Sequence, residues 1–142
     1  MKNIISLLIA GSIITLAACT QRIDDSKVPS PVKNSFAKDF PGASSKWEKE
    51  KLNYEANFSL DGKTMSALYD NNGNRQETET DIKVSDLPTS AQDYVANNYP
   101  GEKIKEAAVI TKANGEVNYE AEVNDMDVIF TQDGKFIKTA KD

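Results

Sequence analysis

Few side chains in this sequence can act as nucleophiles, general bases or thiolate metal ligands. There is no histidine among the 142 residues, and Cys19 is the only cysteine. Histidine is the commonest general base and a frequent metal ligand, so its absence removes Ser-His and Cys-His nucleophilic sites. A single cysteine also excludes an internal disulfide and a thiolate metal cage. We therefore predict that the protein is not an enzyme and that it uses no cofactor or metal.

The position of Cys19 indicates a specific modification. It follows an uncharged run from Ile4 to Ala18, which is too short to span a bilayer and comes after Lys2. Leu16-Ala17-Ala18-Cys19 resembles the bacterial lipobox, which implies cleavage before Cys19 and a lipid on its sulfur. The alternative is an ordinary secretory signal in which Cys19 is incidental. We predict a signal peptide over residues 1–18 and an acylated tether over 19–27.

The charge of the chain limits its partners. The net charge is −5, and nucleic-acid binding depends on Lys and Arg that neutralise phosphates. Nucleic acid is therefore not an expected partner. The tether carries Asp24 and Asp25 rather than a basic cluster, so the lipid on Cys19 is the expected attachment to the membrane. Thr20 after the cysteine favours the outer membrane, with the protein facing the periplasm or the cell surface.

One sequence pattern occurs twice. Residues 28–42 align without a gap over residues 87–101, and both segments contain an aromatic residue followed by Pro-Gly. Self-similarity of this kind indicates repeated structural units. We therefore predict one repeat over residues 28–83 and a second over 84–142.

Each repeat begins with an amphipathic helix and continues with strands. Helical spacing places Val32, Phe36 and Phe40 on one stripe, and the second helix has a matching stripe. Alternating apolar and polar residues, separated by turn sequences such as Asp61-Gly62, predict the strands. The predicted strands cover residues 54–60, 63–69, 75–82, 103–112, 117–123, 126–131 and 135–139.

These elements predict an α+β fold. It consists of two tandem repeats, each a helix followed by an antiparallel meander of three to four strands. Each repeat has a small apolar face, so we expect one continuous sheet with both helices on one face. The opposite, open face is then the expected docking surface.

Three residues are candidates for binding a partner. Trp47 lies among charged residues, so its side chain could be exposed as a binding hot spot or packed against the first helix. Glu77 and Glu79 share one face of their strand with Asp81 and could hold a cation weakly. The simpler and favoured account is a charged edge that prevents edge-to-edge aggregation.

Several segments together resemble a known family. They are Trp47 to Glu50, Tyr54 to Phe58, Gly73-Asn74, Glu77 to Ile82 and Asn98 to Gly101. In order and spacing they are similar to the PepSY-like, β-lactamase-inhibitor-like family over residues 28–140. The resemblance implies tandem helix-plus-sheet repeats like those of the secreted β-lactamase inhibitory protein, without that protein's disulfides.

The predicted function is protein or peptide binding in the cell envelope, with inhibition of an enzyme as one form of it. The binding surface is the open sheet face, and the partner is an envelope protein or peptide. The alternative is a structural or accessory subunit of an envelope assembly. An exposed aromatic patch on the sheet would favour the first function, an entirely charged face the second, and a deep cleft lined by buried carboxylates would favour an enzyme. We expect the protein to be a monomer.

Overall fold

Nine strands and two α-helices form the part of the chain that the structure, a computed structural model, describes: residues 21–141. Single turns of 3-10 helix at Asp25–Lys27 and Val84–Asp86 precede the two α-helices. The elements in chain order are β1 Gln21–Ile23, α1 Ser30–Asp39, β2 Ser45–Glu50, β3 Asn53–Leu60, β4 Lys63–Tyr69, β5 Arg75–Ile82, α2 Thr89–Asn98, β6 Ile104–Lys112, β7 Val117–Val123, β8 Met126–Thr131 and β9 Phe136–Ala140.

The nine strands form one antiparallel sheet whose spatial order is the chain order. The predicted fold class, α+β with two repeats of helix plus meander, is therefore wrong. Residues 21–141 are mostly β, with only two short α-helices of ten residues each. The physical reason is the pairing of β5 with β6, where Glu79 lies opposite Ile110. Shared backbone hydrogen bonds continue the sheet across the point between the predicted repeats.

Both helices pack on the same face of the sheet. Paired residues on neighbouring antiparallel strands point to the same side, and one such row runs from Phe58 on β3 to Phe130 on β8. Phe58 makes an edge contact with Phe36 of α1, at 5.1 Å between ring centroids. Phe130 makes one with Tyr94 of α2, at 5.6 Å. We call this side the helix-covered face.

Each helix covers its own cluster of buried residues. The stripe of α1 packs on aromatic and alanine side chains of β2, β3 and β4, and α2 packs on small and branched side chains of β6, β7 and β8. Two glycine turns bring the sheet close to the helices. A Cβ on Gly73 would lie 2.5 Å from the Pro31 carbonyl oxygen, and one on Gly134 would collide with Ser90 Oγ. These contacts fix α1 and α2 against the turns that follow β4 and β8.

Candidate functional site: an acidic trough on the open face

The open face of the sheet is polar, because the strands alternate between core and outward positions. Three rows of paired residues cross it. They are Glu55, Leu68, Glu77 and Lys112; then Asn57, Ser66, Glu79, Ile110 and Asn118; then Asp81, Ala108, Glu120 and Ile129. Among residues 21–141, the buried residues of both α-helices belong to the clusters on the helix-covered side.

The open face holds a depression of roughly 270 Å³. Three apolar residues on this face are buried although they belong to neither core cluster: Ala108, Ile110 and Ile129 are 4%, 8% and 7% exposed. Since no helix in the described residues lies over them, neighbouring side chains of the same face shield them. Of the three, Ala108 lines the depression.

Carboxylates form most of the wall of this depression, which we call the acidic trough. Seven acidic side chains line it, together with the polar side chains of Asn57, Thr64 and Ser66, and its lining contains no Lys or Arg within the described part of the chain. The seven are Glu55, Glu79, Asp81, Glu106, Glu120, Glu122 and Asp127.

Glu79 has the most strongly shifted pKa of these groups. Burial is the main cause that raises the pKa of Glu79 from 4.5 to about 7. Like charges add to the effect; they belong to Glu55, Glu77, Asp81 and Asp127. A carboxylate in such surroundings holds a proton near neutral pH unless a positive charge arrives.

The pKa values of two neighbours of Glu79 are also raised. Burial raises the pKa of Glu55, and a hydrogen bond with Ser66 opposes this rise. Burial also raises the pKa of Glu77, where the charge of Lys112 acts in the opposite direction. Perturbed carboxyl groups that cluster in a concave surface are characteristic of functional sites.

Three lysines lie near the trough on the open side of the sheet. Lys112 contacts Glu116 at 3.0 Å. Lys105 forms ion pairs with Asp125 at 2.5 Å and with Glu122 at 3.6 Å. Lys138 lies opposite Ile129, and its charge acts on Glu77. Lys105 therefore pairs with one of the lining carboxylates, that of Glu122.

The structure brings two of the sequence-predicted residues together and separates the third from them. Glu77 and Glu79 lie on the open face, on β5. Because β5 pairs with both β4 and β6, it is a central strand, and a protected sheet edge does not explain its acidic residues. Trp47 is 3% exposed on the helix-covered face, where its ring meets Phe36 at 5.5 Å. Cys19 lies outside the described residues.

Sequence reasoning missed most of the trough. Glu55, Glu120 and Asp127 come from three different strands, and their meeting depends on the register across β3 to β8. The available signal was that Glu55 and Glu120 occupy equivalent places beside tyrosine in the repeated Tyr-Glu-Ala sequence. That signal predicts a shared face but not a shared depression.

A second polar cluster, also missed, lies at the end of α1. The Tyr69 hydroxyl donates a hydrogen bond to Asp39 at 3.0 Å, and Arg75 forms an ion pair with the same carboxylate at 3.1 Å. Burial and the charge of Asp39 raise the pKa of Tyr69. The cluster connects the last turn of α1 to β4 and β5, which is a structural role.

Neither a metal centre nor a membrane span is found in residues 21–141. No group of three or more Cys, Asp or Glu residues in this range has an arrangement suited to a metal ion. The described helices are both too short and too polar to cross a bilayer.

Comparison with solved structures shows the fold in other proteins. A protein from Bacteroides eggerthii, described as "putative periplasmic", is 16% identical with a TM-score of 0.71, covering 80% of this chain and 88% of its own. A DUF2874 family protein from Bacteroides uniformis is 19% identical with a TM-score of 0.70, covering 79% and 88%. A BLIP-like protein from Bacteroides fragilis is 22% identical with a TM-score of 0.65, covering 79% and 85%. At these identities the similarity establishes the fold alone.

Sequence comparison extends this result to the family. No curated protein matches the chain. The profile of the family described as "Putative beta-lactamase-inhibitor-like, PepSY-like" matches residues 15–66 and 52–138, which together cover most of the chain. The protein therefore belongs to the PepSY-like, β-lactamase-inhibitor-like family.

Proposed function

We propose that this protein is a non-enzymatic binding module of the cell envelope, which docks a protein or peptide on the acidic trough. The observation that carries the proposal is the depression on a sheet face that no helix in the described residues covers, where the pKa of Glu79 is raised to about 7. Concave surfaces with perturbed carboxyl groups are candidate ligand sites.

Family membership supports binding rather than catalysis. The family is named for its likeness to an inhibitor, and inhibitors act by docking on another protein. The absence of histidine leaves only carboxyl and hydroxyl groups in the trough. Glu77 and Glu79 are proposed binding residues at this surface, with Glu79 inside the trough and Glu77 beside it.

The proposed location is the envelope, with the lipid on Cys19 as the anchor in the outer membrane. The description of a solved neighbour as periplasmic supports an envelope location. The lipobox Leu16-Ala17-Ala18-Cys19 supports the anchor. A tether of a few residues would keep the sheet near the membrane surface.

A second candidate function, an accessory subunit of an envelope assembly, has one observation in its favour. The terminal strand β9 pairs only with β8 among the described strands, and it exposes Phe136 and Ile137. An unpaired edge with apolar side chains can add a strand from another chain. The trough and the β9 edge are thus the two surfaces to compare.

Site-specific photo-crosslinking in the living host separates these functions. A photoreactive amino acid is placed at Thr64 on the trough, at Ile137 on β9, or at Ala96 on the outer side of α2 as the control. The proposal expects a discrete protein or peptide adduct from Thr64 and none from Ala96. Adducts from Ile137 alone would favour the accessory subunit, and equal labelling from all three positions would contradict a trough-specific partner.

A further inference from the structure

We propose that the β2–β3 hairpin is a second membrane contact of this protein. Leu52 inserts among the lipids of a phospholipid bilayer, and Lys49 and Lys51 lie at the headgroups. The proposal rests on the lipid anchor of the proposed function and describes how the folded module meets the membrane. It begins from the tip of the hairpin, where Leu52 is 81% exposed. The next most exposed large apolar side chain of residues 21–141, that of Ile137, is 42% exposed.

The folding of the hairpin does not explain a leucine at its tip. The turns that join β3 to β4 and β7 to β8 are Asp61-Gly62 and Asn124-Asp125, residue types that tolerate positive φ. The β2–β3 turn instead has Lys51 at φ 53°, followed by Leu52. The equivalent hairpin of the second half, between β6 and β7, contains Asn114-Gly115. The fold thus forms such hairpins with polar turn residues and does not require an exposed leucine there.

The hairpin tip lies beside the chain segment that carries the proposed lipid. Gln21, the first residue of β1, pairs with Lys49 near the end of β2. Cys19 precedes Gln21 by two residues, so covalent geometry limits the distance between their Cα atoms to about 7 Å. A lipid on Cys19 therefore holds this end of the sheet, with the β2–β3 hairpin, at the bilayer surface.

The side chains around Leu52 suit a membrane interface. Residues 49–52 contain two lysines and one carboxylate, that of Glu50, so the tip is net positive in a chain with a net charge of −5. Lysines beside an inserted apolar side chain can extend to the headgroups, where anionic lipids attract them. Lys49 Nζ also lies 3.6 Å from the centroid of the Tyr54 ring, and tyrosine suits an interface because its ring is apolar and its hydroxyl is polar.

A bilayer fits this tip better than a protein partner does. One exposed leucine offers far less apolar area than a stable protein interface buries. Beside a lipid anchor, however, no large area is needed, because the anchor already keeps the tip at the membrane. The tip then adds a second point of attachment, and two points restrict the orientation of the module more than one.

Contact at this tip leaves the acidic trough accessible. The eight residues of β3 join the Lys51-Leu52 tip to the Asp61-Gly62 turn at the other end of the sheet, roughly 25 Å away. Thr64, which lines the trough, follows that far turn. This end of the trough therefore faces away from the bilayer, toward other proteins of the envelope.

Photo-crosslinking to lipids tests the proposal on the full chain. The protein is produced in a bacterial host that processes lipoproteins, with an aliphatic diazirine amino acid in place of Leu52. It is then reconstituted into vesicles of phosphatidylethanolamine and phosphatidylglycerol. Two exposed control positions carry the same amino acid: Ala113 on the equivalent β6–β7 hairpin at the same end of the sheet, and Lys63 at the opposite end. Circular dichroism checks that all three variants are folded.

We expect at least about tenfold more lipid adducts from position 52 than from position 63, since only the first side chain is inserted among lipids. Position 52 should also exceed position 113 by about fivefold or more, because the β6–β7 hairpin has no natural apolar side chain of this size at its tip. Equal labelling at positions 52 and 113 would overturn the proposal. Lipid contact would then reflect only the closeness of this end of the sheet to the bilayer.

Failure of this proposal is distinguishable from failure of the proposed function. Mass spectrometry of the same protein shows whether Cys19 carries a lipid, and absence of that lipid would overturn both the proposed anchor and the hairpin contact. A lipid on Cys19 without enriched adducts at position 52 would overturn the hairpin contact alone. Docking on the trough is tested separately, by protein adducts from Thr64.

Discussion

Replacing Glu79 by glutamine removes the most perturbed carboxyl group of the trough while keeping its shape. The pKa of Glu79 is raised from 4.5 to about 7, mainly by burial. A group whose folded-state pKa is raised contributes stability below its unfolded pKa, and this contribution is lost as pH rises through about 7. At 1.36 kcal/mol per tenfold change in proton affinity, the full contribution is roughly 3 kcal/mol.

The variant is therefore expected to change the pH dependence of stability. Between pH 5 and pH 8.5 the wild type should lose roughly 2 to 3 kcal/mol of unfolding free energy through Glu79. Glutamine cannot ionise, so Glu79→Gln should lose less over this range and should be the more stable protein at pH 8.5. Urea unfolding followed by fluorescence measures this, because Trp47 is the only tryptophan and is buried in the core.

The matched control is Glu102→Gln, which makes the same chemical change at an exposed position outside the trough. This control should keep the wild-type slope of stability against pH. If the unfolding free energy of the wild type and of Glu79→Gln changed with pH at the same slope, the reasoning would be refuted. Glu79 would then be ionised in the folded protein at neutral pH without loss of stability.

Three further predictions concern the core, a turn and the anchor. Trp47→Ala should destabilise the protein by about 3 to 5 kcal/mol, measured by circular dichroism in urea, because it removes a buried aromatic side chain. A variant as stable as the wild type would show that Trp47 is not a core residue. Gly134→Ala should lower the melting temperature more than Gly42→Ala, since both glycines have positive φ but only Gly134 faces Ser90 Oγ. An equal fall in melting temperature in both variants would mean that backbone conformation alone explains the effect. Cys19→Ala should move the protein from the membrane fraction to the soluble envelope fraction; retention in the membrane fraction would contradict a lipid anchor.

Much of the local structure was predictable from the sequence, because it depends on neighbours along the chain. Alternation and turn residues placed strands at 63–69, 75–82, 117–123 and 126–131, and the structure has β4, β5, β7 and β8 at these bounds. The apolar stripe of Val32 and Phe36 identified the buried side of α1. The absence of histidine and the resemblance of Leu16-Ala17-Ala18-Cys19 to a lipobox also require no coordinates.

The tertiary structure alone decided how these elements combine. Local periodicity does not say which strands pair. One continuous sheet was expected, but the pairing of β5 with β6 and the two further strands β1 and β2 came only from the structure. It could not choose between the two environments of Trp47, since its neighbours in sequence are charged on both sides.

The acidic trough depends on the same non-local information. Glu55, Glu79 and Asp127 are far apart in sequence, and each looks like an ordinary outward residue of a half-buried strand. Register across β3 to β8 brings them to the wall of one depression, which Ala108 also lines. The sequence determined which side chains face outward. Only the pairing of the strands placed these carboxylates around one depression, because the burial of Glu79 and the charges of Glu55 and Asp127, which raise its pKa, depend on strands other than β5.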